Sequence, residues 1–122
     1  MRYIKKGIKM TQEEYNNLSP EEQNALFATE VLGWVTNKYK IAWFAPGLIP
    51  VGMDRSDFDP NNNLDQAMMG AEPYDIVIIQ RRDDWDVGLC AKNKDGELAR
   101  AVHENLTQAI MLACLKAQGV VE

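Results

Sequence analysis

The sequence predicts an α+β domain: an antiparallel sheet, made of a three-stranded meander plus one further strand, sandwiched by helices in the order α-β-α-β-β-β-α. Two observations predict it. Three β-like runs, Tyr74 to Arg81, Trp85 to Lys92 and Glu97 to His103, succeed one another across Arg82-Asp-Asp84 and Asn93-Lys-Asp-Gly96. Connections this short make antiparallel hairpins and cannot carry a parallel crossover. Helical periodicity, by contrast, sits outside this block, at the start, the middle and the end of the chain. The size agrees, because 122 residues with 46% hydrophobic content suit one core rather than two.

Thr11-Gln-Glu-Glu14 and Ser19-Pro-Glu-Glu22 are both capping boxes, the second with Pro at the first helical position. Leu26, Phe27, Val31 and Trp34 then recur at helical spacing, which predicts an amphipathic helix from about Pro20 to Trp34. Asn37 to Phe44, rich in aromatic and β-branched residues, reads as the additional strand. A long irregular stretch runs from Gly47 to Asn63, and such stretches in small domains are either functional or mobile. Asn63 caps a short helix, Leu64 to Glu72, stopped by Pro73. After the meander, Asn105 with Gln108 caps the last helix. Leu106, Ala109, Ile110, Ala113, Cys114 and Leu115 form its apolar face and Gly119 ends it.

Residues 1–9 differ in character from the rest of the chain. Lys5-Lys6-Gly7, back-translated, spells a purine-rich ribosome-binding sequence ahead of a Met10 codon, so 1–9 is expected to be a non-structural leader and 10–122 the single domain. No apolar run approaches the ~18 residues of a membrane span, so no membrane partner is expected. The net charge of -5 argues against a DNA or RNA duplex as partner. Cys90 and Cys114 lie in apolar stretches without a second pair or a histidine cluster, which predicts reduced thiols, a cytoplasmic setting and no zinc site.

Four segments together resemble the phage ABA sandwich domain family. They are Leu26-Phe-Ala-Thr-Glu-Val-Leu-Gly-Trp34, Phe58-Asp-Pro-Asn-Asn-Asn-Leu-Asp65, the meander containing Trp85, and Gln108-Ala-Ile-Met-Leu-Ala-Cys-Leu-Lys116. The resemblance runs from about Gln12 to Gly119. It implies a small bacteriophage or prophage protein with helices stacked on a sheet, at work in the cytoplasm of an infected bacterium. Its motifs are caps, turns and core positions, and none is catalytic. This chain departs from the family in its middle helix, where Gln66-Ala-Met-Met69 and Gly70 replace a longer helix carrying Trp, and between Trp43 and Asp57.

Several groups of side chains are candidates for chemistry. Asp57, Asp59, Asn61, Asn63 and Asp65 have the alternation of a calcium loop but lack its turn glycine and distal glutamate, so they are expected to serve as turn and capping side chains, with no metal. Asp83, Asp84 and Asp86 cluster at a hairpin, where carboxylates are normally solvated; with no phosphate loop, nucleophile elbow or His-Glu-x-x-His, no enzyme, catalytic residue or cofactor is expected. Tyr39, Trp43, Phe44 and Trp85 on strands, with Arg81, Arg82, Arg100 and His103 nearby, offer stacking faces and phosphate-binding groups for a small nucleotide-like ligand, although Trp43 and Trp85 also suit the core. Leu48, Ile49 and Met53, in an apolar loop, are the expected contacts of a homo-oligomer. The expected function is non-enzymatic: sequestration of a nucleotide-derived bacterial immune signal. The alternatives are inhibition of a host protein through the acidic face near Asp54 to Asp65, or a phage structural role.

Overall fold

The fold was read from a computed structural model that describes residues 9–36, 42–44, 52–92 and 96–122. Along the chain come α1 (Gln12–Asn16), α2 (Pro20–Leu26), a π-helical turn (Phe27–Val31), β1 (Val35–Thr36), β2 (Ala42–Phe44) and β3 (Gly52–Asp54). A 3-10 turn (Arg55–Asp57), α3 (Leu64–Met69), β4 (Tyr74–Gln80), β5 (Trp85–Ala91), β6 (Glu97–His103) and α4 (Leu106–Ala117) complete the order. The α+β class therefore holds, with the helices and the antiparallel meander where the sequence puts them. The further strand belongs to a second small sheet, β1-β2-β3, separate from the meander β4-β5-β6.

Local signals form as expected. Thr11 and Glu14 exchange both capping-box hydrogen bonds, and so do Ser19 and Glu22. Asn63 and Asn105 cap α3 and α4 by accepting from the backbone N–H of Gln66 and Gln108. Gly119, at φ +76°, closes α4 with paired bonds from its own N–H to Lys116 O and from Val120 N–H to Leu115 O. This crossing pattern needs a left-handed residue, which glycine adopts without steric cost.

Two helix readings change. The helix expected to run to Trp34 is α-helical only to Leu26, and its last turn widens to π geometry. A π turn shifts the phase of a buried face, and here it buries Phe27 and Ala28 while the Trp34 N–H closes onto Ala28 O at 2.9 Å. The middle helix stops at Met69 rather than Glu72, with Gly70 as its C-cap. A Cβ there would sit 2.5 Å from Phe27 Cζ and 2.8 Å from Val31 Cγ1, so the end of α3 presses directly on the π turn.

α4 is the middle layer of the molecule. Every residue from Ala109 through Leu115 is fully buried, Met111 and Leu112 included, so the helix has no polar face along this stretch. A helix apolar all round must be covered all round. Its one side lies on β5 and β6, and its other meets α3 and the π turn. Burial raises the Cys114 thiol to about 12, and Tyr15, also in the core, is raised for the same reason. Strand alternation gives the meander an inner face of Val87, Leu89, Ala99 and Ala101 against α4. Its outer face carries Val77, Ile79, Asp86, Arg100 and Val102. At the far end Met10 bridges Val121, tying the first described residues to the last. The expected leader lies, Lys9 apart, outside the described residues. Among the described residues no helix is long and apolar enough to cross a membrane.

Candidate functional site

A cleft of about 610 Å³ opens between α2 and the arm formed by β2, β3 and the 3-10 turn. Its floor is aromatic. Trp43, 4% exposed, pairs across the small sheet with Thr36 and Met53. Phe58 stacks on Phe27 with ring centroids 6.5 Å apart and tilts against Trp34 at 4.9 Å. Over the Trp43 face lies the Arg55 guanidinium, 4.6 Å from the ring centroid. Arg55 reaches it because Met53 is held opposite Trp43, which puts the 3-10 turn two residues later at the ring. A cation there is attracted by the ring's negative face.

The polar wall comes from α2 and the turn Asp59 to Asn63. Asn24 Nδ2 donates to Asp59 Oδ1 and Asn62 Nδ2 to Asp59 Oδ2, each at 2.9 Å. Asn61 Nδ2 donates to Asn24 Oδ1, and Gln66 Nε2 to Asp57 O, both at 2.9 Å. Gln108 on α4 extends the lattice inward, donating to Gln23 Oε1 and to Asn61 Oδ1. Of the side chains with calcium-like spacing, Asp59, Asn61 and Asn63 thus face different partners, as capping and turn groups do. The lattice fixes the wall of the cleft, while Glu21, Ser56 and Asn62 stand exposed at its rim.

The residues expected to hold a ligand do not share one site. Trp43 is in the cleft. Phe44, its neighbour, points to the other face of β2 and pairs with Val35 and Gly52. Trp85 lies on the inner face of the meander between Gln80 and His103, half-buried against the core, so it packs rather than presents a ring. Arg81 and Arg100 belong to the outer face, and the sheet itself separates them from Trp85. Arg82 is exposed in the hairpin turn. Tyr39, Leu48 and Ile49 lie outside the described residues, and Met53 packs beside Trp43.

Arg81 and Arg100 are already engaged. Arg81 Nη2 lies 2.6 Å and Arg100 Nη1 3.0 Å from the same oxygen of Asp86, whose side chain is 2% exposed. Arg100 also holds Glu97 at 2.9 Å, and the Glu97 hydrogen bond, followed by the charges of Asp86 and Glu97, raises the Arg100 pKa. Asp86 is therefore not the solvated hairpin carboxylate expected from the sequence. A buried carboxylate needs counter-charge, and two arginines supply it. His103 is committed as well, its Nδ1 accepting from the Asn105 N–H at 2.9 Å, which sets the other nitrogen as proton carrier in the neutral ring. It faces a shallow hollow with Asp83, Asp84 and Glu104, whose charge opposes an anion.

Arg55, Asn24, Asn62 and Asp59 are the cleft groups that ligand reasoning from the sequence missed. For Arg55 the signal was a cross-strand register, Trp43 opposite Met53, between segments ten residues apart; the other three come together through bonds between α2 and the turn at 59–63.

No protein-family model matches the chain, and no curated protein matches it. Among solved structures it is similar to a phage protein from Bacillus cereus ATCC 14579, with a TM-score of 0.58 at 17% identity over 86% of this chain and 95% of that one. At this identity the likeness is one of fold.

Proposed function

We propose that the protein is a non-enzymatic phage accessory protein of the phage ABA sandwich kind, acting in the cytoplasm of an infected bacterium by sequestering a small nucleotide-like molecule in the cleft between α2 and the β2–β3 arm. The observation that carries this reading is the guanidinium of Arg55 stacked over Trp43 in a cavity of about 610 Å³. A nucleobase stacks on such a surface, and Asn62 with Ser56 at the rim supplies hydrogen-bonding edges. The charge balance selects further. Glu21 and Asp59 accompany Arg55 in the lining, so the ligand is read by its base and carries little phosphate, met by Arg55 alone.

The test is isothermal titration of the full chain with nucleosides, mononucleotides, cyclic dinucleotides and cyclic ADP-ribose-type molecules. Saturable binding that weakens at least about tenfold in Arg55→Ala and is unchanged in Arg82→Ala supports the cleft. Binding that depends on Arg82 instead, or no binding in the whole panel, sinks it. A second reading, inhibition of a basic host protein, rests on the exposed Asp54, Asp57 and Asp65 beside the cleft.

A further inference from the structure

We propose that the chain self-associates as a two-fold dimer in which β4 pairs antiparallel with β4 of a second copy, joining two meanders into one six-stranded sheet. β4 is an edge strand among the described residues, paired with β5 along all seven positions without a bulge. Proteins guard such edges with lysine, proline, a bulge or a cover. Tyr74–Gln80 has neither lysine nor proline, its single charge is Asp75 near one end, and Ile76-Val-Ile-Ile79 is an uncharged aliphatic run. Exposure occurs on both faces of the strand, 53% at Val77 and 47% at Ile79 on the outer face and 38% at Ile78 on the inner. An occupant lying on one face leaves the other wet, whereas another strand covers both and pairs the open backbone edge. The opposite edge, β6, is different, because its register shifts opposite Leu89 and Cys90 and it carries Glu97 and Arg100.

Charge identifies the second strand as another copy of β4. With Ile78 on the two-fold axis, Val77 lies opposite Ile79 of the second copy and Ile76 opposite Gln80. Asp75, which already has an interaction within its own chain and as a carboxylate accepts more than one, then lies opposite Arg81 of the second copy, and the symmetry repeats the pair. Positions 75, 77, 79 and 81 share the outer face, so both pairs form on one side of the new sheet. Moving the axis to Val77 sets Asp75 against Ile79 and loses both pairs. Arg81 keeps donors for a second carboxylate, since one nitrogen serves Asp86 and its side chain is 54% exposed. The interface is isologous and closes at two copies. A seam this short belongs to the small end of interface sizes, where association is in the micromolar range.

Sedimentation velocity of the full chain over roughly 1 to 300 µM tests it, the range in which small interfaces fill. The mass is expected to rise from one copy to two. Asp75→Arg and Ile79→Lys should each weaken the dimer at least about tenfold, whereas Leu98→Lys, an equally exposed apolar site near the other edge, leaves it unchanged. Circular dichroism verifies that each variant is folded. Independently, mild oxidation of Ile78→Cys should trap a covalent dimer, because facing Cα atoms in antiparallel strands lie about 4.5–5.5 Å apart, within disulfide reach. Val77→Cys, off the axis, should not. A monomer throughout the range, a dimer indifferent to Ile79→Lys, a dimer lost in Leu98→Lys, or equal trapping at 77 and 78 would each overturn the proposal.

Discussion

The cleft and the outer face of the meander each set arginine beside an apolar surface, yet they treat it in opposite ways. In the cleft, Arg55 stacks on Trp43 at 4.6 Å, and Asp59 in the same lining is tied to two asparagine amides. On the sheet, Arg81 and Arg100 converge on one oxygen of the buried Asp86, and Arg100 is further held by Glu97. What separates the two settings is therefore whether a buried acid has drawn the guanidinium to itself. Residue type and exposure do not decide it, since Arg81 and Arg100 are both about half exposed. The ion-paired cluster compensates the buried Asp86, whereas the Arg55 guanidinium lies on a ring face.

The contrast breaks most severely at the cleft floor. Phe58→Ala removes a fully buried ring from between Phe27 and Trp34 and should cost about 3–5 kcal/mol, measured by urea unfolding. The meander should keep its own register in that variant, because Phe58 touches neither β5 nor β6 in any ring contact. Gly70→Ala comes next. The new methyl drives into Phe27 and Val31, and the expected loss is about 1–2 kcal/mol after the backbone gain of replacing glycine. A stabilised Gly70→Ala would show that the π turn is free to shift away.

Much of the fold was legible because its signals are local. Capping pairs such as Thr11 with Glu14 act over three residues, and the three meander strands are separated by connections of a few residues. The all-apolar run Ala109 to Leu115 also announces a buried helix, although helical spacing marks one apolar face there and the structure wraps it completely. The site was much less legible. Strand parity orders residues only within one strand, and that Trp85 and Arg100 take opposite faces depends on the register of β5 against β6. Arg55 meets Trp43 only after β2 and β3 pair, and Asp86 is buried only because two arginines from separate segments fold over it. Contacts of that range leave no pattern in composition or spacing.

A pH series probes the layer shared by both regions. Burial raises the Cys114 thiol from an ordinary 9.0 to about 12, and Tyr15 shifts in the same direction. Above pH 9 the unfolded thiol sheds its proton while the folded one keeps it, so the folded state binds more protons and loses stability as pH rises toward 12. For the thiol alone the slope is at most about 1.4 kcal/mol per pH unit. Unfolding midpoints between pH 8 and pH 11, in the native chain and in Cys114→Ala, measure it; the variant starts lower but should fall less steeply. Equal slopes would place the alkaline transition elsewhere. Within the folded chain a thiol reagent should modify the half-buried Cys90 and spare Cys114.

The finest test exchanges one arginine at a time. Arg55→Ala removes a half-buried guanidinium that no salt bridge or side-chain hydrogen bond restrains among the described residues, so its stability change should stay within about 1 kcal/mol while ligand binding fails. Arg100→Ala should do the reverse, lowering Tm measurably because Asp86 keeps only Arg81, and leaving ligand affinity alone. Arg100→Ala combined with Asp86→Asn should recover part of that Tm, since the charge that needed two arginines is gone. Differential scanning fluorimetry with and without ligand reads both quantities on the same samples. If Arg100→Ala weakens the ligand as much as Arg55→Ala does, the two regions are one site, and the buried carboxylate of Asp86 serves to aim an arginine rather than to occupy it.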